Sequence, residues 1–265
     1  NALSQLVSLR KKLEHTNKYK EYDTAIKEYE TKGYAEKAKD ATVRPGMYFF
    51  PHHGVYNKDT NKTKCRVVYN ASSFVNGNRS LNQCLSKGVS INANIWAVLI
   101  RFRTAPIILL TDLVKAFSQI RIDPRDRDLL RYLWYDSPED KKPTMYRMAS
   151  VIFGATCSPY ILGAVLKTHT EKFRHAYPEV TDQMEDGVYM DDAAFAANTV
   201  QQAQSTMRQA KEFFGKASFT LHPWVTNEPK VICDDLEFED MHKTHKCLGL
   251  LWEPGKDEVR TKPVS

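Results

Sequence analysis

The chain has no apolar run long enough to cross a membrane, and Asn1-Ala2-Leu3-Ser4 does not read as a signal peptide. No membrane partner is therefore expected. Position 1 is not Met, which points to a piece of a longer polypeptide. The five cysteines, Cys65, Cys84, Cys157, Cys233 and Cys247, include no CxxC pair. An odd, scattered set argues against a disulfide framework and for free thiols in a reducing compartment. Asn-x-Ser/Thr triplets begin at Asn61, Asn70 and Asn78. Without a secretion signal they read as polar loop sequence. There is no internal repeat and no low-complexity tract.

Anions are missing from one stretch in particular. Residues 41–90 carry seven cations (Arg44, Lys58, Lys62, Lys64, Arg66, Arg79 and Lys87) against the single anion Asp59. That excess equals the formal net charge of the whole chain, +6. Such a segment is a solvated basic face or a surface for phosphates of nucleic acid or nucleotide. The chain has 265 residues and is 42% hydrophobic, enough for one large domain or two intimate subdomains.

Leu6, Leu9, Leu13, Tyr22, Ile26 and Tyr29 recur at helical spacing, which predicts one or two surface helices ending near Gly33. Arg44-Pro45-Gly46 breaks the pattern. Met47–Phe50 and Arg66–Tyr69 read as strands flanking the turn-rich piece 57–62, a hairpin with a cationic tip. The apolar run Ile107–Leu110 stops at Thr111-Asp112, as a buried central strand would. Ser118–Ile122 alternates like a half-buried strand. Ser158-Pro159 opens a helix that ends by Tyr177-Pro178. A second helix starts at Thr199, with Gln202 as its capping-box partner, and stops at Gly215. Gly187–Tyr189 and Ala193–Ala196 bracket Met190-Asp191-Asp192 as a hairpin. The order predicts an α+β layering in which helices back an antiparallel sheet.

Asp112 ends a strand, and Asp191 and Asp192 sit at a turn 79 residues later. Clustered, partly buried carboxylates are costly unless a cation pairs them. Asp oxygens suit Mg²⁺, which keeps waters and phosphate oxygens as its other ligands. Two such ions roughly 3.5–4 Å apart serve phosphoryl transfer. Most Asp-Asp pairs are solvated turn formers, but this pair has small, apolar flanks. The acidic stretch Asp234–Asp240 has no bounding strands and reads as an exposed loop.

Tyr189-Met190-Asp191-Asp192 resembles the YxDD box of reverse transcriptases. Leu110-Thr111-Asp112-Leu113-Val114-Lys115-Ala116-Phe117 resembles their first palm motif. Phe153-Gly154-Ala155-Thr156-Cys157-Ser158-Pro159 is similar to the turn that leads into their palm helix. Leu248-Gly249-Leu250-Leu251-Trp252 resembles the primer grip. Pro51–Val55 and Lys64–Ser72 are similar to the fingers signature of BEL/Pao-type retrotransposons. The motifs are collinear over about residues 10–260, and that order makes coincidence improbable.

The resemblance implies a right-hand polymerase with fingers and palm, its antiparallel palm sheet backed by helices. A helical segment would cover 1–45, fingers 46–90 and 120–157, and palm 91–119 and 158–253. Residues 254–265 would begin the connection to a thumb, with RNase H beyond. The implied activity is RNA- and DNA-directed DNA synthesis from dNTPs on a template-primer. The implied catalytic residues are Asp112, Asp191 and Asp192. With the Leu113 carbonyl they would hold two Mg²⁺, with Mn²⁺ as an alternative. The nucleotide would meet Lys62, Lys64, Arg66, Lys115, Ala116, Phe117, Phe153 and Gly154. Template-primer would meet Ser158, Pro159, Tyr189, Met190, Leu248, Gly249 and Trp252. The implied location is intracellular, in cytoplasm or nucleus.

The chain departs from the family pattern at His222-Pro223-Trp224, where relatives carry Lys before the Trp. His222 and Lys230 are then the candidates for the general acid. A non-catalytic nucleic-acid-binding remnant is a competing reading, although all three aspartates are present. A palm polymerase of another element type, or one making RNA, is a third. Phe117 argues against an RNA product. His242, His245, Cys247 and Cys233 match no structural zinc spacing.

Overall fold

The computed structural model describes residues 2–40, 42–43, 47–56, 65–74, 77–91, 93–101 and 103–261. Helices α1 (Ala2–His15) and α2 (Tyr19–Thr31) precede strands β1 (Ala35–Lys37), β2 (Phe49–Phe50), β3 (His52–Tyr56) and β4 (Cys65–Tyr69). Next come α3 (Leu81–Cys84), α4 (Ile95–Arg101), β5 (Ile107–Asp112) and α5 (Ala116–Gln119). Strands β6 (Arg131–Trp134) and β7 (Thr144–Met148) lead to α6 (Ser158–Phe173) and α7 (Pro178–Gly187). Then follow β8 (Val188–Tyr189), β9 (Asp192–Ala197), α8 (Val200–Gly215) and β10 (Val225–Thr226). Strands β11 (His245–Cys247), β12 (Leu250–Glu253) and β13 (Glu258–Arg260) complete the chain. Two compact units divide these elements. One takes Asn1–Gly88 and Phe117–Ser158, the other Val89–Ala116 and Pro159–Ser265.

The first unit holds a sheet ordered β1-β7-β6-β2, with β2 parallel to β6 and the other pairs antiparallel. Its core is largely aromatic: Tyr22, Phe50, Tyr69, Tyr132, Trp134 and Tyr146 are all buried. Helices α1 and α2 were expected as surface helices. As such helices do, each commits one apolar stripe to this core, Leu6 and Leu13 from α1 and Tyr22 and Ile26 from α2.

Two expected strands are corrected. The partner of Cys65–Tyr69 is His52–Tyr56, paired from His52↔Tyr69 to Tyr56↔Cys65, and not Met47–Phe50. Gly54 hid that strand. A Cβ there would stand 2.9 Å from the Tyr22 ring and 3.0 Å from the Tyr56 ring, so packing dictates a residue that strand propensity disfavours. The cationic tip lies outside the described residues. Ser118–Ile122 is also not a strand. Lys115 adopts φ 50, the chain turns into α5, and only an isolated bridge, Arg121↔Ser150, remains.

The second unit centres on an antiparallel sheet ordered β10-β5-β9-β8. Helix α8 buries Ala203, Met207, Ala210, Phe213 and Phe214 on one face. Its start falls at Thr199 as expected, and Thr199 accepts from the Gln202 N–H, but the Gln202 side chain accepts from the Asn198 N–H and not from that of Thr199, so the expected capping box does not close. Helix α7, opened by Pro178, was not anticipated. A three-stranded sheet, β11-β12-β13, lies beside a cluster of Val98, Ile108, Leu110, Val225, Leu248 and Trp252.

His52 is a polar group set inside the aromatic core. Its Nε2 lies 2.9 Å from the Leu133 carbonyl and its Nδ1 2.6 Å from the Tyr22 hydroxyl. A neutral ring satisfies both, donating from Nε2 and accepting at Nδ1. Burial pushes its pKa from 6.5 down to about 4. Above pH 6.5 the ring is neutral whether folded or unfolded. Between pH 6.5 and 4 only the unfolded chain takes up the proton, so stability falls as pH falls through that window. From pH 7 to 4.5 the wild type should lose roughly 2–3 kcal/mol more than His52→Gln, which does not titrate. Urea unfolding of both proteins at the two pH values measures this, and equal losses would refute it.

Candidate active site

Strand β5 is the central strand of the second unit's sheet, flanked by β9 and β10, and is buried from Ile107 through Thr111. A strand covered on both faces reads as continuous apolar sequence, and it does so until Asp112, which is half-buried. The antiparallel register with β9 sets Asp112 opposite Asp192. Directly opposed residues share a face and are close neighbours. Asp191 lies in the two-residue turn between Tyr189 and Asp192. Its carbonyl accepts a 2.8 Å hydrogen bond from the Leu113 N–H. One ladder and one turn thus bring the three aspartates together.

The turn is strained. Met190 has φ 57 at the first central position, where hairpins of this length usually carry Gly. A left-handed non-glycine residue costs about 1–3 kcal/mol and persists only where its surroundings fix it. Two contacts do so. Gly187 passes so close to Ala194 that a Cβ would meet its carbonyl oxygen at 2.5 Å. The buried Gln183 donates to the Glu179 carbonyl and accepts from the Ala196 N–H. On the other side of Asp112, its carbonyl accepts from the His222 N–H at 2.9 Å. The Thr111 hydroxyl donates to the His222 carbonyl at 2.8 Å.

Burial first, and then Asp191 and Asp112, push the Asp192 carboxyl from 3.8 up to about 6, opposed by a hydrogen bond from the Leu248 N–H. Among the described residues no three His, Cys, Asp or Glu side chains form a ready-made metal cage. The donors fit Mg²⁺ in another way, since that ion takes one or two carboxylates and completes its shell with waters and substrate phosphates. The carboxylate repulsion that raises Asp192 is what a bound divalent cation would relieve.

Residues 54–224 match the family model described as reverse transcriptase (RNA-dependent DNA polymerase). The chain belongs to the reverse transcriptase family. Its fold is similar to a foamy viral protease-reverse transcriptase in complex with double-stranded DNA: TM-score 0.61, 14% identity, 89% of this chain and 34% of that one. It is also similar to native prototype foamy virus protease-reverse transcriptase: TM-score 0.54, 15% identity, 74% of this chain and 22% of that one. The chain therefore spans about a third or less of those proteins' length. Among curated proteins it has no match.

The other expected site residues divide into several groups. Arg66 is exposed on β4, while its neighbours Cys65 and Val67 point inward. Phe117 is half-buried, its ring edge-on to Phe153 at 5.8 Å. Phe153 is 71% exposed. Gly154, at φ 105, leaves room for the Tyr69 carbonyl, which a Cβ would meet at 3.0 Å. Lys115 is exposed and Ala116 buried. Lys62 and Lys64 lie outside the described residues. Met190 borders a cavity of about 340 Å³ that Val188, Leu166 and Lys167 also line. Pro159 and Tyr189 are half-buried. Leu248 and Gly249 form a second turn with two positive φ values, 50 and 85.

Two expected contacts are corrected. Trp252 is fully buried, and its indole N–H donates to Asp257 at 3.1 Å, so it supports the β11–β12 hairpin and offers no face to a template-primer. Ser158 is buried too. Its hydroxyl donates to the Ile152 carbonyl at 2.6 Å, and Ser158 is itself the first residue of α6.

Asn82, Gln183 and Gly187 escaped the sequence reading. Asn82 staples the 154–156 turn: its amide donates to the Gly154 carbonyl at 3.0 Å and accepts from the Thr156 N–H at 2.9 Å. A local signal existed, since Ser80-Leu81-Asn82-Gln83 forms a capping box that fixes α3. Nothing local marks Gln183, because its partner in β9 is set by the fold. Gly187→Ala should destabilise the second unit by about 1–3 kcal/mol, since the Ala194 carbonyl would have to move. Chemical denaturation measures the loss, and an unchanged midpoint would show that α7 and β9 are not held so close.

Proposed function

We propose that this chain adds deoxynucleotides to a primer 3′ end on an RNA or DNA template. The observation that carries this reading is the meeting of Asp112, Asp191 and Asp192 at the end of β5 and the β8–β9 turn. Asp112, Asp191 and Asp192, with the Leu113 carbonyl, would hold two Mg²⁺, or Mn²⁺. When bound, such ions supply Lewis acidity to the attacking hydroxyl and to the departing pyrophosphate. The half-buried ladder keeps the carboxylates in one place, so little reorganisation is needed at the moment of reaction.

Arg66, with Lys62 and Lys64, receives the triphosphate, because a guanidinium fork binds phosphate oxygens in pairs. Pro159, Tyr189, Met190, Leu248 and Gly249 meet the template-primer. The double-stranded DNA held by one structurally similar reverse transcriptase supports a nucleic-acid partner. His222, tied through its backbone to Asp112, is the better candidate for the general acid. Lys230 follows β10, whose pairing runs from Leu110 to Leu109 and so away from Asp112. Residues 46–90 and 120–157 serve as fingers, and 91–119 and 158–253 as palm. Pro51–Val55 and Lys64–Ser72 favour a BEL/Pao-type element. Its polyprotein would continue into thumb and RNase H and would act inside the cell.

Asp112→Asn and Asp191→Asn should each lower primer extension by at least about 100-fold while leaving template-primer affinity near wild type. Single-turnover extension and a binding titration check both halves. Near-normal extension by either variant would sink the assignment.

Phe117 is proposed to face the nucleotide sugar and to exclude a 2′-hydroxyl. A core aromatic would be fully buried, whereas Phe117 is half-buried against the exposed Phe153. Removing ring volume changes discrimination by roughly 1–3 kcal/mol. Phe117→Val should therefore raise ribonucleotide use relative to deoxynucleotide use by about ten-fold or more. The readout is the ratio of kcat/KM values. An unchanged ratio in an active variant would move Phe117 away from the sugar.

A further inference from the structure

The turn at Leu248-Gly249 is left-handed at both positions, and Leu248 lacks the freedom of glycine. Strain of this kind persists only where neighbours over-determine it, and it concentrates at functional sites. Here the strained residue packs in one cluster with Ala194 and Tyr189, and Tyr189 is paired with Asp192, so the Leu248 backbone lies beside the Asp192 carboxylate. Three features hold it. The Leu248 side chain is buried in the cluster that contains Val98, Ile108 and Leu110. Trp252, paired with His245 across the same hairpin, is buried in that cluster as well. Beyond β12, Asp257 is itself left-handed at φ 53 and accepts from the Trp252 indole at 3.1 Å.

Asp257 is in turn gripped by Arg103, which lies between α4 and β5. Arg103 Nη1 lies 2.6 Å from the Asp257 carboxylate, and Nη2 lies 3.4 Å from the Asp257 carbonyl. An exposed ion pair alone adds little stability. This pair differs in what it joins. It ties the segment leading into β5, which ends at Asp112, to the three-stranded sheet that presents Leu248 to Asp192.

We propose that Arg103 and Asp257 form a clamp that holds the Leu248-Gly249 turn in place, so that the Leu248 N–H fixes the orientation of the Asp192 carboxylate. Both are positioning residues. The catalytic part of this inference rests on the polymerase reading above, whereas the clamp itself does not.

Asp257→Gly tests it, because glycine keeps the left-handed backbone and deletes the acceptor. Asp257→Asn restores an acceptor for Trp252 and Arg103 and tolerates the same backbone. Amide exchange in the metal-free protein, read residue by residue by NMR, reports the turn directly. Asp257→Gly should speed Leu248 exchange by about 10-fold relative to the β5–β9 ladder amides, and Asp257→Asn should recover most of the protection. In primer extension, the half-saturating Mg²⁺ concentration should rise by about 10-fold in Asp257→Gly, as expected when a metal-site carboxylate loses its outer support. The clamp is overturned if Leu248 exchange is unchanged, or if it rises only in step with the ladder amides, as general destabilisation would cause. Faster Leu248 exchange with a wild-type Mg²⁺ requirement overturns the link to Asp192. A wild type that extends no primer overturns the polymerase reading, and the clamp is then decided by the exchange alone.

Discussion

Asp112 and Asp192 face each other across an antiparallel ladder, with Asp191 in the turn beside them, and these negative charges share a half-buried place. Repulsion between such groups works against the fold, because burial weakens the screening that water provides. The rest of the second unit can be understood as the structure that withstands it. Strand β5 is central and apolar, and its pairing on both sides leaves Asp112 little freedom. The hairpin that carries the left-handed Met190 is braced by a close helix end and a buried glutamine. A divalent cation at this place would relieve that repulsion.

The first unit holds its inward guanidinium groups under the opposite rule, in that each is paired within the protein. Arg131 is almost wholly buried, yet its guanidinium reaches Asp128 and the Asp40 carbonyl at 3.0 Å. Arg147 joins Asp128 to Glu36, and Arg127 closes on Glu36. Buried charge that is fully paired gives definition to one packing arrangement and has nothing left to offer a ligand. The contrast with the aspartates of the second unit separates a structural network from a reactive one.

Much of the candidate site was legible because its signals are local. An apolar run that stops at an aspartate reads as a central strand, and a Tyr-Met-Asp-Asp sequence between short apolar runs reads as a hairpin. What stayed hidden depends on distant partners. His52–Tyr56 looks unlike a strand until Tyr22 and Tyr56 are seen to exclude a Cβ at Gly54. Ser118–Ile122 alternates like a strand, but the left-handed Lys115 sends it elsewhere. Trp252 carries a motif residue's identity, and its burial shows that its part is played from inside the core. The roles of Gln183 and Asn82 are fixed by backbone groups far along the chain, which no periodicity reveals.

Strand β8 is only two residues long, so most of β9 would present an open ladder of N–H and carbonyl groups. Such an edge invites another strand to add to the sheet. The Gln183 amide occupies the Ala196 N–H, and the Gly187 backbone lies against the Ala194 carbonyl. Helix α7 therefore acts as a stopper. It closes the sheet with a side chain and a helix end, and a neighbouring chain has no free rung at those positions on which to begin an intermolecular sheet.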